Sequence, residues 1–287
     1  MTASETRKKS VLLLVITAAL WSTSGLWIKV ISWSPMAILG GRSLVALVVF
    51  WVYLRKPKFR ISKLQLLGAV CYVLTQITFV MATKLTTAAN AIFLQYASPL
   101  YVVIFGYIFL KEKPHWVDWT AMAMIFTGLF LFFGDQLSLD GVTGNILAIL
   151  SGILFAVVMI IMRSQRENNP ANIIFIGNLI GMVVGFPFMF KESFTPSTVG
   201  IILFMGIFQI GLSFVLYSLA IRHVHALESN LILTLEPILN PVWVFLVLGE
   251  KPGPMALWGS LLVIAAVSFR AVMSAVTPDQ STPSPGF

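Results

Sequence analysis

Seven uncharged runs constrain this chain more than any other feature of its sequence. They are Val11–Ile28, Leu64–Thr83, Leu85–Leu110, Gly141–Met162, Asn168–Phe190, Ser193–Ile221 and Pro252–Phe269. Each is close to or above the ~18–20 residues that an α-helix needs to cross a ~30 Å hydrocarbon layer. Three further apolar stretches are interrupted or shorter. Pro35–Leu54 contains Arg42, Trp119–Gly134 is short, and Ala226–Leu248 contains Glu228 and Glu236. Backbone polar groups cannot stay unpaired in lipid, so such runs read as helices. The ~10-residue alternating segments of a membrane β-barrel do not occur. The expected fold is an all-α membrane protein with ten transmembrane helices, called spans 1 to 10 below.

Composition agrees with lipid as the solvent. Charged residues make up 10% of the chain and hydrophobic ones 58%, against about 25% charged in a typical soluble domain. The net charge of +8 carries a topology signal in place of a nucleic-acid patch. Fourteen of the nineteen Lys and Arg residues, from Arg7 through Lys56, Lys111 and Arg163 to Arg270, fall on one side of the expected bundle. The other side keeps Lys29, Lys84, Lys191 and Lys251, and Arg42 lies within a span. The positive-inside rule then places both termini in the cytoplasm, with Asp140 and Lys191 outside. Arg7, Lys8 and Lys9 precede an apolar stretch with no small-x-small cleavage site, so span 1 is expected to remain as an anchor. The lone Cys71 excludes an intramolecular disulfide and reads as a small buried apolar residue.

Self-similarity organises the ten spans. At a shift of 138 positions, Ala88 matches Ala226, Pro99 matches Pro237, Leu110 matches Leu248, and Glu112-Lys113-Pro114 matches Glu250-Lys251-Pro252. At a shift of 134, Trp21 and Lys29 match Phe155 and Arg163. Five spans per repeat is an odd number, so the second copy enters the membrane inverted. The expected domains are a cytoplasmic N-terminus at 1–10, a first five-helix repeat at 11–134, a second, inverted repeat at 141–275 and a disordered tail at 276–287. Inverted repeats characterise secondary transporters, whose pseudo-equivalent halves exchange inward- and outward-facing shapes around a midplane site.

These residues carry a family resemblance. Leu20-Trp21-Ser22-Thr23, Leu94-Gln95-Tyr96-Ala97-Ser98-Pro99, Leu235-Glu236-Pro237 and Leu248-Gly249-Glu250, set in five plus five helices, resemble the EamA-type drug/metabolite transporters. The resemblance covers roughly residues 10 to 275. It implies an exporter of small metabolites in the bacterial inner membrane. Amino acids, aromatic or otherwise neutral, are the first expected substrates, and other metabolites or drug-like toxic compounds are the alternative. The expected partners are a small-molecule substrate, a coupling proton and the lipid bilayer, for a monomeric protein with no cofactor and no nucleic acid.

Helical spacing nominates a substrate site. Asn90, Leu94, Ser98 and Tyr101 share a face of span 4, and Ser229, Leu233, Glu236 and Asn240 share one of span 9. Tyr72, Thr75, Gln76 and Phe79 in span 3, and Gln209, Ser213 and Tyr217 in span 8, form two further stripes. The 138 shift pairs Ser98 with Glu236, Thr75 with Ser213, and Phe79 with Tyr217. The candidate substrate-binding set is therefore Trp21, Tyr72, Gln76, Phe79, Asn90, Ser98, Tyr101, Gln209, Ser213, Tyr217, Glu236 and Asn240. Each of the polar ones alone equally suits a hydrogen bond between packed helices, worth ~0.6–2 kcal/mol. Pro99, Pro237 and Pro241 are expected hinges; they free the carbonyls of Gln95, Leu233 and Pro237, which a ligand or a neighbouring helix can then meet.

Two charges lie within spans. Arg42 is seven residues past Pro35, roughly 10 Å along a helix, and is expected to snorkel to the outer interface. Glu236 sits about ten residues from either end of span 9. A midplane carboxylate there must be paired, protonated or facing water, and Arg42 and Lys29 are its two candidate partners. Enzymatic chemistry finds little support. His223-x-His225 and His115 stand in loops, and no P-loop, Gly-x-Ser-x-Gly or His-Glu-x-x-His occurs. A passive channel is the remaining rival to a carrier.

Overall fold

The computed structural model describes residues 3–55, 62–86, 88–134, 140–167, 169–239, 243 and 254–276, the side chains at 3, 4, 26, 29, 83, 84, 88–90, 256, 271 and 274–276 excepted. The expected tail beyond Val276, which still belongs to the last helix, lies outside the described residues, as do Asn240, Pro241, Glu250 and Lys251. All regular structure among the described residues is helical. Seven helices there are long and apolar enough to cross a membrane: Pro35–Leu54, Lys63–Ala82, Ala91–Leu110, Trp116–Phe133, Val142–Ser164, Ala171–Met189 and Pro196–Ala220. The remaining spans, 1, 9 and 10, are formed by the other helices.

Span 1 consists of α1 (Ala3–Ser22) and α2 (Ser24–Val30), broken at Thr23. It begins well before the expected Val11, so residues assigned to a separate N-terminus continue the helix. Spans 2 and 3 are α3 (Pro35–Leu54) and α4 (Lys63–Leu85). Span 4 is divided into α5 (Ala88–Gln95), α6 (Ser98–Phe105) and a π-helical end, Gly106–Leu110. Then follow α7 (Trp116–Phe133), α8 (Val142–Ser164) and α9 (Ala171–Met189). Span 8 joins α10 (Pro196–Phe204) through the π-helical Met205–Leu212 to α11 (Ser213–Ala220). Span 9 starts with α12 (Ala226–Leu233) and resumes as α13 at 235–239, and span 10 is α14 (Pro254–Val276).

Local sequence sets several of these starts. Ser62 and Gln65 form a reciprocal capping box at α4, and Thr195 and Thr198 do so at α10. Pro35 and Pro196 occupy first-turn positions, where a missing N–H costs nothing.

Packing follows the repeat. α3 lies against α9 and α7 against α14, which pairs span 2 with span 7 and span 5 with span 10. α4 packs on α8, while α1 packs on span 8. Exchanging the two halves leaves the α3–α9 and α7–α14 contacts as they are and turns the α4–α8 contact into that of α1 with span 8. Glycines permit the closest approaches. A Cβ on Gly40 would come within 2.7 Å of the Gly185 backbone, and one on Gly259 within 2.4 Å of the Gly128 carbonyl oxygen. Small residues at such crossings let membrane helices pack without a hydrophobic driving force.

The two ends of the bundle differ. At one end Glu228 in the first turn of α12 pairs with Arg7 and lies 3.8 Å from Arg270, which also bonds Asp118. Arg163 donates to Glu112 at 2.9 Å and to the Ile221 carbonyl at 2.7 Å, and the other Glu112 oxygen accepts from the Ala226 N–H. Glu112 thus closes the N-terminus of α12. At the other end Trp33 donates to the Ser193 carbonyl, and Glu192 accepts the Ser34 N–H at 2.8 Å. Hydrogen bonding from Ser34 holds the Glu192 carboxyl below its usual range.

Candidate functional site

Two broken helices meet inside the bundle. Pro99 lies in the first turn of α6, and α5 stops at Gln95 because the proline offers no N–H to continue the ladder. α12 stops at Leu233, three residues before Glu236-Pro237, and Thr234 forms the turn. The 138 shift takes Tyr96, in the first break, to Thr234, in the second. Across the junction the Tyr96 hydroxyl donates to Glu236 Oε2 at 2.5 Å, and Ser98 Oγ donates to Asn230 Oδ1 at 3.1 Å. Tyr96, Ser98 and Asn230 are buried. Among the described side chains Glu236 meets a phenol, while Arg42, one of its two candidate partners, meets Gln76, and the side chain of Lys29, the other, lies outside the described residues. The Gln95 carbonyl freed by Pro99 faces the close backbone of Gly152, where a Cβ would lie 2.8 Å from it. The Gln95 side chain donates to Ser151 Oγ at 2.7 Å.

Beside this junction stands an aromatic cluster. Trp21 Nε1 donates to Ser213 Oγ at 2.7 Å. The Trp21 ring lies 4.7 Å from Phe214, 6.1 Å from Tyr217 and 6.2 Å from Phe155, and Tyr72 meets Phe214 edge-on at 5.4 Å. Gln209 is 2% exposed, and among the described residues neither atom of its amide has a hydrogen-bond partner, nor does the Tyr217 hydroxyl. A buried unsatisfied polar group costs about 1–3 kcal/mol. Gln209 lies in the π-helical segment, a helix type found frequently at functional sites. Trp243 Nε1 donates to Ser22 Oγ at 2.7 Å, a residue away from Trp21.

Arg42 adjoins the same cluster. The expected snorkelling does not occur: the side chain is 8% exposed and donates to Gln76 Oε1 at 2.8 Å. Tyr72 and Gly177 keep α4 and α9 tightly apposed there, and the Tyr72 side chain faces Arg42, Gln76 and Asn178. α3 runs against α9, so packing draws the guanidinium inward before it can reach the interface. Asn178 is fully buried; its Nδ2 donates to the Ile174 carbonyl, and its Oδ1 has no partner among the described residues.

The comparison with known proteins places this architecture. The sequence pattern of the EamA-like transporter family matches residues 8–134 and again 142–271, one copy in each half. This chain belongs to the EamA-like transporter family. It is similar to an uncharacterised transporter of Archaeoglobus fulgidus, 24% identical, with 90% of this chain and 96% of the relative covered. It is also similar to the pseudopaline exporter of Pseudomonas aeruginosa, 23% identical, over 90% of this chain and 94% of that one. A solved crystal structure superposes with a TM-score of 0.81 at 15% identity, covering 93% of this chain and 98% of the other.

Within this EamA-like transporter the sequence-nominated residues separate into groups. Trp21, Tyr72, Ser213 and Tyr217 converge with Phe155 and Phe214, Gln209 is buried one turn before Ser213 in the same span, and Gln76 borders Arg42. Ser98 and Glu236 lie at the α6–α13 junction. Phe79 does not join either group; it packs against Ala82, Ala91 and Ala148. Tyr101 packs half-buried on the main core. The Asn90 side chain, Asn240 and Pro241 lie outside the described residues. Ser229 bonds the His225 carbonyl within its own helix, and its neighbour Asn230 takes the cross-helix position instead. Tyr96 escaped the spacing argument because it assumed unbroken helices, and Asn230 escaped it because its partner Ser98 follows the first break, where the phase changes. Pro99, standing three residues after Tyr96, is the signal that could have found that break.

Proposed function

We propose that this EamA-like transporter is a carrier, not an enzyme, that exports a small metabolite across the bacterial inner membrane by alternating access. The first substrate class is the amino acids with aromatic or other neutral side chains. The observation that carries this reading is the meeting of two repeat-equivalent broken helices at Tyr96–Glu236 and Ser98–Asn230, beside an aromatic cluster with unpartnered buried amides and hydroxyls. Short half-helices can tilt about their breaks, so one set of contacts can open toward either face. Trp21, Tyr72, Phe214 and Tyr217 supply apolar surface, and Gln209 supplies a donor and an acceptor.

The end carrying Arg7, Arg163 and Arg270 faces the cytoplasm with both termini, and the protein works as a monomer. Glu236 carries the coupling proton or receives a substrate ammonium. The test is counterflow of labelled L-phenylalanine into proteoliposomes of the purified protein. Saturable exchange supports a carrier; an ohmic current or covalent turnover would refute it. The similarity to a pseudopaline exporter favours a second reading, export of other metabolites, which a wider panel of labelled solutes decides.

A further inference from the structure

We infer that Arg42 is the receptor for a carboxylate on the transported solute, with Gln76, Tyr72 and Asn178 completing the site. The inference rests on the transport reading above and adds the charge class of the cargo. A guanidinium carries five N–H donors in a planar fork that matches a carboxylate with two parallel bonds. In Arg42 one donor is spent on Gln76 Oε1, a neutral acceptor, and no Asp or Glu among the described residues pairs with the charge. The other polar neighbour is the Tyr72 phenol, which does not cancel a positive charge, and Asn178 adjoins that phenol as a further neutral group.

A buried, uncompensated cation within a span is a poor structural choice. The other described arginines at the bundle interior, Arg163 and Arg270, are each held by acids, Glu112 and Asp118. Their pairing stabilises one end of the bundle. Arg42 sits instead at the edge of the aromatic cluster, because Tyr72, which faces it, also packs edge-on against Phe214. Phe214 in turn lies 4.7 Å from Trp21. A solute whose apolar part rests on Trp21, Phe214 and Tyr217 therefore brings a carboxylate one side chain away to the guanidinium. Asn178 adds an unsatisfied acceptor, Oδ1, which suits an N–H or O–H on the carbon next to that carboxylate.

Matched probe pairs test the inference on the purified full chain in detergent. The pairs are L-phenylalanine and L-phenylalaninamide, phenylacetate and phenylacetamide, and lactate and lactamide. Thermal protection is titrated for each. For at least one pair the wild type should bind the carboxylate about tenfold or more tightly than the carboxamide, the scale of one charge-assisted contact. In Arg42→Gln that ratio should collapse to about one, and in Arg42→Lys, which keeps the charge without the fork, it should be intermediate. The ratio is taken within each variant, so a general loss of stability does not move it. Equal protection by both members of every pair, protection by none, or an unchanged ratio in Arg42→Gln overturns the inference. Counterflow of a solute lacking a carboxylate would overturn it while leaving the transport reading intact.

Discussion

The hydroxyl of Tyr96 donates to Glu236 Oε2 at 2.5 Å, joining the break in span 4 to the helix that resumes after the break in span 9. A hydrogen bond to an ionised group contributes about 1.5–3 kcal/mol. Removing it with Tyr96→Phe should lower the melting temperature in detergent, and the loss should disappear when Glu236→Gln is already present. The Glu236→Gln variant also separates two roles. If Glu236 pairs with the substrate, affinity falls in equilibrium binding. If it carries the coupling proton, counterflow survives while accumulation driven by a pH gradient is lost. Wild-type affinity, rate and pH profile in Glu236→Gln would make the residue purely structural.

The repeat-equivalent prolines should have opposite effects. Pro99→Ala lets α5 and α6 fuse, and Pro237→Ala does the same for α12 and α13. Each substitution stiffens the gate of its own half, so the two variants should shift toward opposite open states. Spin-label distances across the two ends of the bundle provide the measurement, and identical shifts would rule out a symmetrical exchange.

Orientation is tested with single cysteines in a Cys71→Ala background. Lys113 and Arg166 are exposed at the end rich in arginine, and Asp140 and Lys191 are exposed at the other. In intact cells an impermeant thiol reagent should label positions 140 and 191 and spare 113 and 166. Labelling at 113 from outside would invert the topology.

Glycines at the span 5–span 10 crossing should tolerate no side chain. The methyl of Gly259→Ala would lie 2.4 Å from the Gly128 carbonyl oxygen and 2.6 Å from Phe132 N, both backbone atoms that cannot swing aside. The expected loss is about 1–3 kcal/mol, read as a lower melting temperature. Gly200→Ala is the control, because nothing lies within 4 Å of its added methyl. That variant should match or exceed the wild type, since alanine favours a helix over glycine by up to about 1 kcal/mol.

The ion pair Arg163–Glu112 closes the N-terminus of α12, with side chains 6% and 18% exposed. Arg163→Ala strands the Glu112 carboxylate and the Ile221 carbonyl together, and should cost about 3 kcal/mol. Accessibility of a cysteine at position 223, which is exposed beside α12, should rise in the same variant. A drop in stability without that rise would make the pair a brace with no part in closing the end.

Much of this protein was determined by its sequence alone. Run length and charge spacing demand helices because lipid offers backbone groups no partner, and that demand does not depend on which helices touch. The matches Pro99–Pro237 and Glu112–Glu250 disclosed the repeat for a similar reason, since a duplicated chain keeps its helix breakers and end caps at equivalent places. Trp21, Ser213 and Tyr217 were legible as one site because α1 and α11 keep their phase through the residues concerned. Only the tertiary structure decided what Arg42, Tyr96 and Asn230 do. Arg42 is drawn inward because α3 packs against α9 and meets Gln76 of α4, a contact between distant parts of the chain that spacing within one helix cannot disclose. Tyr96 sits in the α5–α6 break and meets Glu236, which follows the α12–α13 break, while Asn230 of α12 meets Ser98, which follows the first break out of the phase of a continuous helix. Periodicity assigns a face only while a helix persists, and in this fold the helices that meet at the candidate site are the ones that do not.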